Sequence, residues 1–288
     1  MKNIDLALES RELHRDVEGV DVRTEQRGGH AVTVISVNTP QAAKTLGKPV
    51  GTYTTVELQT VPGDDESLIA AAELIADALR TALPTEGCVL FCGLGNLHVT
   101  PDSLGPLTAN KVIATRHLTE TEPDLAHLRP VSAIFPGVLA QTGMESAEIL
   151  VGLVRQIRPA AVVTVDALAA QKLSRLGRAV QICNTGIAPG SGVGNHRRAI
   201  NAETLGCSVI SVGIPLVVDG ATLCCDLLGA DGSQRADIEQ KAAQREPLIV
   251  THTDIDKTVE TLSVLLALAF NMAVQPSFSP QELLAIMG

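Results

Sequence analysis

Two acids in this chain stand at the ends of apolar runs. Asp102 follows Val89-Leu90-Phe91 and the glycines Gly93 and Gly95, inside CVLFCGLGNLHVTPDSLGP at 88–106. Asp166 follows the run AVVTV at 161–165. Two carboxylates held close cannot both ionise easily, so they share a proton. One then takes a proton from water, and the other hands one to a leaving group. Each acid also stands where a helix cap is expected. Asp102 precedes SLGP, and Asp166 precedes ALAA at 167–170. A cap is the second reading of both.

Two glycine-rich stretches accompany the acids, GLGN at 93–96 and PGSGVGN at 189–195. Neither carries the Lys-Ser/Thr of a phosphate-binding P-loop, and GLGNLH lacks the third glycine of a dinucleotide fingerprint. They suit a peptide running close to bare backbone. Asn96, Gly190, Ser191 and Gly192 are the candidate substrate-binding residues. His98 and His117 flank Asp102, but no two of the seven histidines have H-x-x-x-H spacing. No closed ligand set is visible, so neither metal nor cofactor is expected. Cys183 ends an apolar run beside the glycine loop, where a buried structural thiol is the expected role.

An α/β frame would position such groups. Apolar runs that end in glycine read as buried parallel strands entering tight turns, and ligands bind at their carboxyl ends. Strands are expected at 89–91, 131–135, 161–165, 179–183 and 209–214. Helices are expected at about 104–116, at 145–157 and from about 219, an alternation that implies a mostly parallel sheet covered on both faces. Leu68, Ala72, Ile75, Leu79 and Leu83 share one face of a helix over 64–83. Ahead of it, 20–24 and 31–37 form a hairpin about Arg27-Gly28-Gly29. Thr39-Pro40 opens a short helix closed by Gly47, and 52–61 is a further strand. Residues 4–15 form a short helix or a loose arm, and 229–246 is polar and exposed. A long helix covers 253–274, with Thr253 and Asp256 at capping-box spacing. A last one opens at Ser279-Pro280 with Glu282.

Composition narrows the function classes. The chain has 288 residues, 45% hydrophobic, with 2% aromatics and no Trp. Stacking platforms for nucleic acid are not expected, and a net charge of -10 opposes non-specific DNA binding. Six cysteines without a C-x-x-C pair fit a reducing cytoplasm. The charged N-terminus is no signal peptide. The longest apolar run, 262–274, is short for a bilayer, so no membrane partner is expected.

Six stretches together resemble the germination protease family: GLGNLHVTPDSLGP, ATRHL at 114–118, FPGVLAQTGMES at 135–146, VDALAA at 165–170, GIAPGSGVGNHR at 186–197 and VGIPLVVDG at 212–220. The resemblance implies an endopeptidase that starts the degradation of small acid-soluble spore proteins during germination, in the cytoplasm of the forespore or spore core. It implies a homotetramer made as a zymogen. The family's two candidate catalytic aspartates match Asp102 and Asp166. Members cut after an acid, ahead of an apolar residue and then alanine, and remove their own leader at a similar sequence. Ile4-Asp5-Leu6-Ala7-Leu8-Glu9 resembles such a site, which makes Asp5 and Leu6 the processing pair and 1–5 a short propeptide. Where the family carries an acid before the glycine loop, this chain has Cys183-Asn184-Thr185.

GLGN, DSLG and VDA are also similar to a shorter pattern in hydrogenase maturation endopeptidases, which keeps a metal-dependent alternative open. A non-catalytic, ligand-binding regulator is the third. The expected fold is α/β: a three-layer helix/sheet/helix sandwich with a mostly parallel sheet, phosphorylase/hydrolase-like. One peptidase domain spans 1–288, with a β-rich extension over 17–61.

Overall fold

A computed structural model describes residues 4–189 and 198–287. Residues 1–3 of the expected propeptide, and Gly190, Ser191 and Gly192, lie outside the described residues. The chain opens with α1 (Ala7–Leu13), then the hairpin of β1 (Val20–Arg27) and β2 (His30–Val37). Gly28 and Gly29 turn it with φ of 55° and 83°, the left-handed pair that a two-residue hairpin loop needs. In α2 (Pro40–Leu46) the Thr39 hydroxyl accepts from the Ala42 N–H at 3.1 Å, and Gly47 closes the helix in the left-handed region. β3 (Gly51–Glu57) and α3 (Asp65–Ala82) follow, the latter capped reciprocally by Asp64 and Ser67.

Strands and helices then alternate through β4 (Val89–Gly93), α4 (Leu104–Ala109), α5 (Arg116–Thr121), β5 (Val131–Ile134), α6 (Leu139–Thr142) and α7 (Ser146–Ile157). β6 (Ala161–Ala169), β7 (Ala179–Cys183), α8 (Ala202–Leu205), β8 (Ser208–Asp219) and α9 (Gly220–Leu228) come next. The polar segment folds as the exposed helix α10 (Gly232–Ala243) and the short β9 (Ile249–Val250). α11 (Ile255–Val274) and α12 (Pro280–Met287) end the chain. Ser279 and Glu282 cap α12 reciprocally, as their spacing predicts.

The strands form one sheet in the order β1-β2-β3-β7-β8-β6-β4-β5, with β9 paired to β8. The helix/sheet/helix sandwich is as expected. Its sheet is parallel across β8, β6, β4 and β5 and antiparallel from β8 outward to β1. The β-rich segment therefore continues the same sheet through the β3–β7 pairing. Helices α3, α4, α11 and α12 cover one face, burying Val163, Val165, Val180, Ile182, Val212 and Ile214. Phe91 meets Phe270 edge-to-face there, with ring centroids 4.8 Å apart. On the other face α7 and α8 cover Leu90, Cys92 and Val162, while α1 and α2 cover Ile35, Tyr53 and Cys183. The cleft lies between these two helix groups.

Three expectations are corrected. The helix expected over 104–116 stops at Ala109 because buried Asn271 of α11 grips the next backbone. It accepts from the Ile113 N–H at 3.1 Å and donates to the Lys111 carbonyl at 3.2 Å. The second reading of Asp166, as cap of a helix over 167–170, is ruled out, because Ala167 and Leu168 are strand and pair with Ile214 and Pro215 of β8. The cap of α11 is Asp254, without a side-chain bond, and not the Thr253–Asp256 box. That helix is long and apolar enough to cross a bilayer, but 72% of the stretch is buried inside the fold as its central core helix.

Candidate active site

The turn after β4 builds the position of Asp102. Gly95 takes φ +116°, and a Cβ there would lie 2.0 Å from the Asp102 carbonyl oxygen. A Cβ on Gly105 would lie 2.2 Å from the Leu94 carbonyl oxygen. Only bare backbone lets the turn fold back this tightly. Asp102 ends the 3-10 turn Thr100–Asp102, and one carboxylate oxygen accepts from the Asn96 N–H at 2.8 Å. The Asn96 side-chain oxygen accepts from the His98 N–H at 3.0 Å and from Gln141 Nε2 at 2.9 Å. Asn96 thus holds Asp102 and ties the loop to α6.

Asp166 sits inside β6, 5% exposed, with one carboxylate oxygen 2.9 Å from the Ala167 N–H. Leu94 N–H donates to the Val165 carbonyl at 2.8 Å, which lays the Asp102 turn beside Asp166. Neither acid caps a helix. Asp166 is within a strand, and α4 starts at Ser103 without a side-chain cap. Both acids line one cavity of about 610 Å³.

Asp5 lines the same cavity. The Asp5 carboxylate accepts from the Ala169 N–H at 2.9 Å. The Asp5 carbonyl accepts from Lys48 Nζ at 2.7 Å and Gln181 Nε2 at 3.1 Å. Gln181 Oε1 accepts from the Ala7 N–H at 2.6 Å. Leu6, 0% exposed, packs on Leu168, Ala179 and Ile187. Of the expected processing pair, Asp5 therefore lines the cavity and Leu6 is buried beside it, with α1 clasped behind. Arg175, 8% exposed, bonds Glu12 at 2.5 Å and Glu57 at 3.1 Å and lies 3.5 Å from Glu9. Burial pushes the Glu9 carboxyl up to about 7, against the Gln171 N–H and Arg175.

Other expected residues fall around or away from this centre. Cys183 lines the cavity and accepts from the Thr185 hydroxyl at 3.4 Å. Burial pushes the Cys92 thiol beneath the site upward, with Asp166 adding to it. His98 and His117 are exposed and do not line the cavity. Among the described residues no group of three His, Cys, Asp or Glu side chains could hold a metal. Lys48 and Gln181 are the residues that sequence reasoning missed. Gln181 had a signal, a polar residue inside the apolar run AVQIC. Lys48, after a helix-ending glycine, reads as an ordinary surface charge. Burial instead lowers its pKa, while Asp5, Cys183 and Glu9 pull it back up.

The Peptidase A25 family, described as Germination protease, matches residues 2–230. A germination protease of Caldanaerobacter subterraneus subsp. tengcongensis is 37% identical over 97% of this chain and 96% of its own. One of Clostridium perfringens is 38% identical over 97% of both chains. Among solved structures, a NiFe hydrogenase maturation protease of Thermococcus kodakarensis KOD1 covers 67% of this chain and 99% of its own. Its identity is 19% and its TM-score 0.38, a likeness too loose to carry an argument. The full-length matches, with the family's span across both aspartates, show that this chain belongs to the germination protease family.

Proposed function

We propose that this chain is an endopeptidase that opens the degradation of small acid-soluble spore proteins during germination, with Asp102 and Asp166 activating water. The observation that carries the reading is that Asp5 lines the cavity that both aspartates line, with Leu6 buried beside it against Leu168 and Ile187. Asp5-Leu6-Ala7 is an acid followed by an apolar residue and alanine, the pattern that family members cut. One aspartate takes a proton from water as the oxygen adds to the peptide carbon. The other gives a proton to the departing nitrogen. The two roles are assigned to the pair and not to either acid singly. The protein works in the forespore or spore cytoplasm as a homotetramer. It is made as a zymogen that removes the residues up to Asp5 by the same chemistry.

Purified protein incubated at mildly acidic pH, where a shared proton is favoured, is expected to lose the mass of the residues up to Asp5. It is then expected to cut a spore protein after an acid. Digestion without the mass change refutes self-processing. No digestion refutes the peptidase reading.

A further inference from the structure

We propose that Lys48 and Gln181 form a clamp for the carbonyl oxygen of the bond being cut, a role that rests on the peptidase reading above. The clamp is visible on the chain's own segment. The Asp5 carbonyl, the acyl half of the Asp5–Leu6 bond, takes two donors, Lys48 Nζ at 2.7 Å and Gln181 Nε2 at 3.1 Å. The same Gln181 amide accepts from the Ala7 N–H at 2.6 Å. One side chain thus spans Leu6 with the acceptor and donor that a neighbouring strand would offer.

The sheet sets this clamp opposite the acid. Gln181 pairs with Gly213 across β7 and β8, and Gly213 pairs with Asp166 across β8 and β6. The three form one row, about 10 Å from end to end at roughly 4.8 Å per strand. All three line the cavity. Gly213 leaves the middle of the row without a side chain, and a Cβ there would lie 2.5 Å from Leu168 Cδ1. A donor stands at one end and a carboxylate at the other, on one face of the sheet, with the Leu168 side chain lying over Gly213 between them.

When water adds, the new C–O bond forms as the carbonyl π pair moves onto oxygen. That oxygen gains negative charge between the Lys48 and Gln181 donors that already face it. The proton leaving water goes to the dyad. The dyad returns one to the nitrogen as the C–N bond breaks, and Lys48 takes part as a hydrogen-bond donor without giving up a proton.

The test compares Lys48→Met, Lys48→Arg and Gln181→Leu with the wild type in the full chain. The first readout is the rate at which the residues up to Asp5 are lost. The second is kcat and KM on the peptide Ile-Asp-Leu-Ala-Leu-Glu-Ser, after immobilised wild type has removed the leader of each variant. Removing one such donor typically lowers kcat on the order of a hundredfold. That loss is expected for Lys48→Met and Gln181→Leu, with KM within about threefold and partial recovery in Lys48→Arg, since the effect acts in the transition state. Thermal midpoints are measured alongside, and Gln181→Leu decides the matter if Lys48→Met does not fold. A kcat within about threefold of wild type, or a loss lying wholly in KM, overturns the clamp. A wild type that cuts neither leader nor peptide takes down the peptidase reading and the clamp with it. An active wild type with unimpaired variants sinks the clamp alone.

Discussion

Asp102 and Asp166 are held by different means. A backbone N–H in a glycine-built turn fixes Asp102, whereas Asp166 is carried by a strand between two others. Replacing either by Asn keeps size and polarity but removes the ability to accept a proton from water. Asp102→Asn and Asp166→Asn are each expected to abolish cleavage in a folded protein, checked by peptide hydrolysis with circular dichroism. Activity within about tenfold of wild type, roughly 1.4 kcal/mol of barrier, would remove that residue from the mechanism. Both acids were legible in the sequence because each follows an apolar run, and carboxyl ends of strands collect ligands. Their alternative reading as caps was not decidable there. It turns on whether 167–169 is strand or helix, and ALAA suits either until β8 pairs with it. Lys48 and Gln181 gain their meaning from a carbonyl 43 and 176 positions away, and local pattern does not report on that distance.

At the scale of elements, the Gly93–Asp102 turn and α1 are the two devices that make the site. Gly95→Ala sets a Cβ 2.0 Å from backbone oxygen at φ +116°. It is expected to destabilise the protein by more than about 2 kcal/mol and to cut activity at least about tenfold, read by thermal melts and peptide hydrolysis. The α1 clasp depends on pH through Glu9. Its carboxyl is raised by burial from 4.5 to about 7, so ionisation opposes docking. Docking of α1 is strongest below pH 4.5, weakens as pH rises toward about 7, and is level above that. The full swing is on the order of 3 kcal/mol. Amide exchange of residues 7–13, corrected for intrinsic rates, should show protection falling across that window, and Glu9→Gln should flatten it. Constant protection in the wild type would mean that Glu9 docks ionised against Arg175. The hairpin, α2, α3 and α12 were legible to within a few residues because their caps and turns are local chemistry. The end of α4 was not, because Asn271 stops it from another part of the chain.

For the whole molecule, alternation of strands and helices foretold the layered sandwich, and one polarity change in the sheet escaped it. β7 reads like its parallel neighbours in composition, and only pairing shows it running against β8. That reversal joins β1–β3 to the parallel half and so brings Lys48, just before β3, and Tyr53, within it, to the cavity of the two acids. It also fixes what remains after the proposed cut before Leu6. In the uncut chain Leu6 lies in an apolar pocket, Ala7 is bonded to Gln181 and Arg175 clasps α1, and none of these contacts involves the residues that the proposed cut would release. The new amino terminus is a tethered competitor, present at an effective concentration in the millimolar range for a short link. Every substrate must displace it from the leaving-group side of the cleft. Glu12→Gln, which weakens the hold of Arg175 and Lys172 on α1, is therefore expected to lower KM severalfold at constant kcat. Steady-state kinetics on the processed enzyme decide it, and an unchanged KM would mean that the arm swings clear once the bond is broken.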